Sequence, residues 1–130
     1  MANVPADLSY TAEHEYVKPT GDASVIQIGI TDYAQGELGD VVYVELPKAG
    51  ATFAKGAVFG TIEAVKAVSE LYCPVAGTVV ESNGALEKDP AAVNREPYGA
   101  GWMIELEPTE KTELTELLSP DAYSQHVAAQ

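Results

Sequence analysis

Gly60-Thr-Ile-Glu-Ala-Val-Lys66-Ala-Val-Ser-Glu-Leu-Tyr72 is the stretch on which the fold turns. Aliphatic and β-branched residues recur on both sides of Val65-Lys66, which predicts strands over 57–64 and 67–73. With Val65 and Lys66 as a two-residue turn, Ala64 faces Ala67 and Glu63 faces Val68. Glu70 then becomes the diagonal neighbour of Glu63 on the same sheet face. The Asn-Gly or Asp-Gly pair that such turns prefer is missing, so the hairpin assignment rests on its flanking strands.

Outward from this hairpin the chain reads as short strands separated by Gly, Pro, Asn and Asp. Residues 25–30 alternate, with Ile26, Ile28 and Ile30 on one face. Asp32, three residues before Gln35, reads as the N-cap of a short helix that Gly39 ends. Strands follow over 40–46, 75–80 and 102–106. Pro47-Lys-Ala-Gly50 and Ser82-Asn-Gly84 read as turns, and 85–101 as loop, punctuated by Pro90, Pro97, Gly99 and Gly101. In the tail, Thr112, Leu114, Leu117 and Leu118 suit a helix, and Ser119-Pro120 is an N-cap with proline at the first helical position. No linker divides the chain, so residues 1–130 are expected to form one domain. The expectation is a mostly-β fold, a small barrel or sandwich, with short peripheral helices including a C-terminal one.

Seven basic and 20 acidic residues give a net charge of −13. Phosphate backbones would be repelled, so nucleic acid is not an expected partner. No apolar run approaches the ~20 residues of a membrane span, so no membrane partner is expected either. The N-terminal residues lack the pattern of a secretory or transit segment. A cytoplasmic location, bacterial in kind, is therefore expected, and a mature mitochondrial form also fits. A single cysteine, Cys73, forms no intrachain disulfide and is expected to be a small buried hydrophobe.

Own-side-chain catalysis finds little support. His14-Glu15 invites a metal, but position 18, where a zinc helix would need its second histidine, is Lys18. Ser69 and Ser82 lack the glycine-flanked elbow of a nucleophilic serine, and no glycine loop has phosphate-binding spacing. Lys66 stands out among so few cations. Its immediate neighbours are small or aliphatic, and its primary amine is one that another enzyme could acylate, adding chemistry that side chains lack. A lysine on a sheet surface is ordinarily only a solvated charge. An unmodified acidic binding module, or a small hydrolase using Glu15 with His14, stands beside that reading.

Glu63-Ala-Val-Lys66-Ala resembles the lipoyl-attachment segment of the glycine cleavage system H protein family. Five further blocks resemble it in the same order. They are His14-Glu-Tyr-Val-Lys18, Ile28-Gly-Ile-Thr-Asp-Tyr-Ala-Gln35, Leu38-Gly-Asp-Val-Val-Tyr-Val-Glu-Leu-Pro47, Cys73-Pro-Val-Ala-Gly77 and Pro97-Tyr-Gly-Ala-Gly-Trp-Met-Ile104. The resemblance implies a barrel-sandwich hybrid of the lipoyl/biotinyl kind, with lipoate in amide linkage on Lys66. It implies a non-catalytic shuttle. A pyridoxal-phosphate glycine decarboxylase loads an aminomethyl group on the arm, a tetrahydrofolate-dependent aminomethyltransferase removes it, and dihydrolipoyl dehydrogenase reoxidises the dithiol. Lipoate-attaching enzymes are implied partners too.

By the same resemblance, Glu15, Tyr33 and Glu70 are candidates for the groove that receives the arm, and Glu63 and Ala67 for recognition by the modifying enzyme. Tyr33 stands where many members carry histidine, Glu13 where some carry serine, and Glu70 where aspartate is frequent. Biotinyl domains flank their lysine with methionines, and lipoyl domains of 2-oxoacid dehydrogenases precede it with aspartate. Val65 and Ala67 match neither. An H-like protein that relays lipoate to other enzymes would need the same lysine.

Overall fold

The computed structural model describes residues 3–129. Among these residues nine strands form two antiparallel sheets. They are β1 (Ser9–Tyr10), β2 (Glu15–Pro19), β3 (Ile26–Ile30), β4 (Val41–Glu45), β5 (Thr52–Phe53), β6 (Val58–Ala64), β7 (Val68–Tyr72), β8 (Gly77–Ser82) and β9 (Ile104–Pro108). The larger sheet has the order β1-β2-β3-β9-β8-β5, the smaller β4-β6-β7. Ile28, Ile104, Leu106 and Val79 of the first share one buried cluster with Val44, Ile62 and Leu71 of the second. The two sheets thus close on one core, as expected of a barrel-sandwich hybrid.

Helices sit at the periphery: α1 (Asp32–Leu38), α2 (Ala92–Arg95) and α3 (Pro120–Ala128). The cap of α1 is Thr31, one residue before the expected Asp32. Its side chain accepts from the Ala34 amide, and Asp32 occupies the first turn, where a carboxylate suits the helix dipole. Gly39 ends α1 as expected, at φ 83°. Ser119 caps α3 with Pro120 in its first turn, also as expected.

Several local expectations give way to packing. The turn after Ser82 is a 3-10 turn over Gly84–Glu87, capped by Asn83. The loop expected over 85–101 contains α2, whose Ala92 and Val93 are buried. The strand expected over 75–80 runs Gly77–Ser82, and that expected over 102–106 runs Ile104–Pro108, shifted two residues in each case. Val75 is instead drawn into the core and accepts from the Cys73 thiol at 3.1 Å. Leucines 114 and 117 belong to, or follow, a 3-10 segment, Lys111–Glu116, rather than an α-helix. No α-helix here is long and apolar enough to cross a membrane, among the described residues.

Candidate functional site

Register places the lysine. β6 and β7 pair with Glu63 opposite Val68, Ile62 opposite Ser69 and Thr61 opposite Glu70. Val65 and Lys66 are therefore the turn, and the Ala64 amide donates to the Ala67 carbonyl at 2.7 Å. The turn is made without left-handed backbone: among the described residues, His14 is the only non-glycine at positive φ. That explains how it forms without Asn-Gly. The tip is also tethered from outside, because the Val65 amide donates to the Asp40 carbonyl at 3.0 Å.

The tether belongs to a small scaffold that sequence reading missed. Asn94 of α2 donates to the Gly39 carbonyl at 2.9 Å and to Gln35 Oε1 at 2.9 Å, and accepts from the Val41 amide at 2.8 Å. One side chain thus fixes the link between α1 and β4 on which the hairpin leans. The Lys66 stem lies over that link, since a methyl group on Gly39 would stand 3.1 Å from Lys66 Cε. Asn94 fell in a stretch read as loop. The sequence signal for it was only a polar residue following the buried pair Ala92-Val93.

Next to this link, starting at Leu38, a groove of about 260 Å³ lies between α1 and β7. Its walls include Ile30, Leu38 and Ile62, with Ser69, Tyr33 and Glu70 along it and Glu15 at depth. Glu15 is 2% exposed. Thr11 Oγ1 donates to its Oε1 at 2.9 Å, and the Tyr72 amide to its Oε2 at 3.3 Å. Burial outweighs those two bonds and pushes the carboxyl up to about 8, so it is mainly protonated at neutral pH. Glu70 is exposed and accepts from the Tyr72 hydroxyl at 3.4 Å.

The C-terminal helix buttresses the groove's far end. The His14 ring lies 4.9 Å from that of Tyr33, and His14 Nδ1 is 2.8 Å from the Tyr123 hydroxyl. That hydroxyl also meets Thr31 Oγ1 at 2.7 Å. His14 and His126 come within 5.6 Å ring to ring, a proximity invisible in sequence. No group of three or more His, Cys, Asp or Glu is placed to hold a metal, among the described residues. Cys73 is 1% exposed, and burial pushes its thiol up to about 11.

Of the residues singled out from sequence, Glu15, Tyr33 and Glu70 share this groove, although 55 positions separate the first from the last. Lys66 is not among the groove's lining residues; its stem lies beside Gly39, the neighbour of the lining residue Leu38. Glu63 is exposed on the outer face of the small sheet, and Ala67 is half-buried beside the turn.

The family model described as "Glycine cleavage H-protein" matches residues 8–130. The chain is 50% identical over 127 residues to the glycine cleavage system H protein of Bacteroides fragilis, covering 98% of this chain and 99% of that one. It is 51% identical over 131 residues to that of Mycolicibacterium vanbaalenii, with the same coverages. The crystal structure of the H protein from Mycobacterium marinum superposes with a TM-score of 0.85 at 39% identity, over 96% of this chain and 99% of that one.

Proposed function

The chain belongs to the glycine cleavage H-protein family, and from that premise we propose that it is a one-domain, non-catalytic lipoyl carrier acting in the cytoplasm. The observation that carries the reading is an exposed Lys66 on a tethered hairpin tip, its stem against Gly39, with Leu38 next along the chain lining a groove that holds Glu15 at depth. Lipoate in amide linkage to Lys66 would supply a disulfide that takes an aminomethyl group from the pyridoxal-phosphate decarboxylase, yields it to the folate-dependent aminomethyltransferase and is reoxidised by dihydrolipoyl dehydrogenase.

The residues present suit that group. Amidation removes the lysine's charge, so Ile30, Leu38 and Ile62 can take a hydrocarbon chain without desolvating an ion. The extended stem and chain would span roughly 12–15 Å. Five helical rises along α1, from Leu38 back to Tyr33, measure about 7–8 Å, so the arm's end falls within reach of the groove's far wall. There Glu15 and Glu70 offer carboxylates to a cationic amine. An ammonium beside Glu15 offsets the cost of burying its charge, so the proton leaves and a charge-assisted hydrogen bond replaces it. Tyr33 and its His14 backing close the end and limit water.

Glu63 and Ala67, flanking the tip, are proposed to be read by the lipoate-attaching enzyme. The test is intact mass of protein made in lipoate-replete cells. A gain of one lipoyl group, absent in Lys66→Arg, supports the carrier, and an unmodified wild-type chain overturns it. Glycine–bicarbonate exchange with the partner enzymes then separates cleavage duty from lipoate relay.

A further inference from the structure

Five of the six large exposed hydrophobic residues among the described residues belong to the three-stranded sheet or its turn: Val42, Tyr43, Val58, Val65 and Val68. Val65 is beside Lys66 at the tip, and Tyr43 and Val68 share a row with Glu63, three residues before it. Val65 is 75% exposed, Val68 68% and Tyr43 48%. Register sets them in order on the outer face. Tyr43 of β4, Glu63 of β6 and Val68 of β7 make one row, and Glu45, Thr61 and Glu70 make the next. A bulge contributes to this arrangement. Pairing slips between Val41 and Tyr43, so the buried-exposed alternation breaks and both Val42 and Tyr43 face solvent. The strands themselves contain no basic residue, so the only charges on this face are Glu63, between Tyr43 and Val68, and Glu45 and Glu70 at the two sides of the next row.

We propose that this outer face of β4-β6-β7 is the docking surface for the enzyme that acylates Lys66, and that the enzyme meets it with apolar groups for Tyr43 and Val68 and basic groups for the glutamates among them. The inference rests on the carrier reading above. Distance selects this occupant. Enzymes that work at the end of the arm act roughly 12–15 Å from the lysine's own base and need not touch these rows. An acylating enzyme must bring its reacting centre to Nζ itself. There the unprotonated amine attacks the carbonyl carbon of an activated acyl donor, an acyl phosphate ester or a thioester. The N–C bond forms, the bond to the phosphate or thiol leaving group breaks, and the amine gives up a proton. The enzyme's footprint must then cover the residues flanking the tip, and those are Val65, Val68 and Tyr43. Charge supplies the complement: three carboxylates interleaved with apolar side chains favour a partner carrying Arg or Lys among its apolar contacts.

The test uses the full unmodified chain and a purified lipoate-attaching enzyme. Binding is read by calorimetry and acylation kinetics by intact mass. Tyr43→Ser, Val68→Ser and Glu45→Lys are each expected to weaken binding and raise KM about tenfold or more, with kcat little changed. Val80→Ser, an exposed valine on β8 of the other sheet, serves as the control and is expected to behave as wild type. Thermal unfolding of each variant shows that the fold is kept. Wild-type kinetics in all three variants overturn the docking surface while leaving the carrier intact. A wild-type chain that the enzyme never acylates overturns the carrier reading and this inference together. Variants acylated by prolonged incubation are finally tested in glycine exchange. A loss there as large as the loss in acylation overturns the assignment to the attaching enzyme.

Discussion

Asn94 holds Gly39 through a 2.9 Å hydrogen bond from its side-chain amide to the glycine carbonyl, and its other end takes the Val41 amide at 2.8 Å. A residue 28 positions beyond Lys66 therefore determines where the base of the lysine stem rests. Asn94→Ala removes both bonds and the third to Gln35, leaving backbone groups to find water. Stability is expected to fall by about 1–3 kcal/mol, measured by urea unfolding. Acylation of Lys66 should slow as the link from α1 to β4 loosens. Asn94→Asp keeps an acceptor for Val41 but has no donor for Gly39, and should fall between.

Gly39→Ala tests the same seat from the other side. At φ 83° and ψ −159°, a conformation essentially reserved for glycine, an alanine is strained by about 1–3 kcal/mol. Its methyl would also press on the Lys66 stem at 3.1 Å from Cε. The stem is flexible and can yield, so the expected loss is the backbone strain alone, read as a lower urea midpoint with unchanged slope.

Glu15 gives a pH signature. Its carboxyl rises from an ordinary 4.5 to about 8 because burial disfavours the charge. Between those values the folded chain holds a proton that the unfolded chain has lost. Stability therefore falls as pH rises through the window, by at most about 1.4 kcal/mol per pH unit from this group. Glu15→Gln cannot ionise, and its stability curve should be flatter from pH 5 to 8. A curve of unchanged slope would place the titration elsewhere.

Removing either groove carboxylate should shorten the life of the loaded carrier. Glu15→Ala and Glu70→Ala are expected to release ammonia faster than wild type while accepting lipoate normally, followed by ammonia assay on purified loaded protein. Equal release in all three would deny both side chains a protective part.

Tyr123→Phe deletes the hydroxyl shared by His14 and the buried Thr31. The expected cost is about 1–2 kcal/mol, measured by thermal or urea unfolding.

Sequence made the hairpin legible because aliphatic and β-branched residues recur on both sides of Val65-Lys66, marking the two strands that flank the turn. It made α1 and α3 legible through Gly39 and Ser119-Pro120, whose backbone and capping chemistry is local. It did not reveal α2, a four-residue helix whose formation depends on burying Ala92 and Val93 against distant strands. β2 carried no local signal either; Glu15 to Val17 are all buried, so the polar-apolar alternation that marks a half-exposed strand is lost. The groove's members were named from family likeness. Their meeting in one cleft is a property of tertiary packing, as is the contact between the two histidines.

Glu15 belongs to the large sheet, yet one of its oxygens takes the Tyr72 amide of the small one. β7 is a margin of that small sheet, with no strand beyond it. A bare margin invites the extended backbone of another molecule, the first step of fibrous self-association. At Tyr72 that invitation is already answered by a carboxyl group. A stray strand would have to evict Glu15 and approach past Glu13 and Glu70. The Tyr72 position of this margin is thus filled from within the molecule, by the same side chain that lies at the depth of the groove.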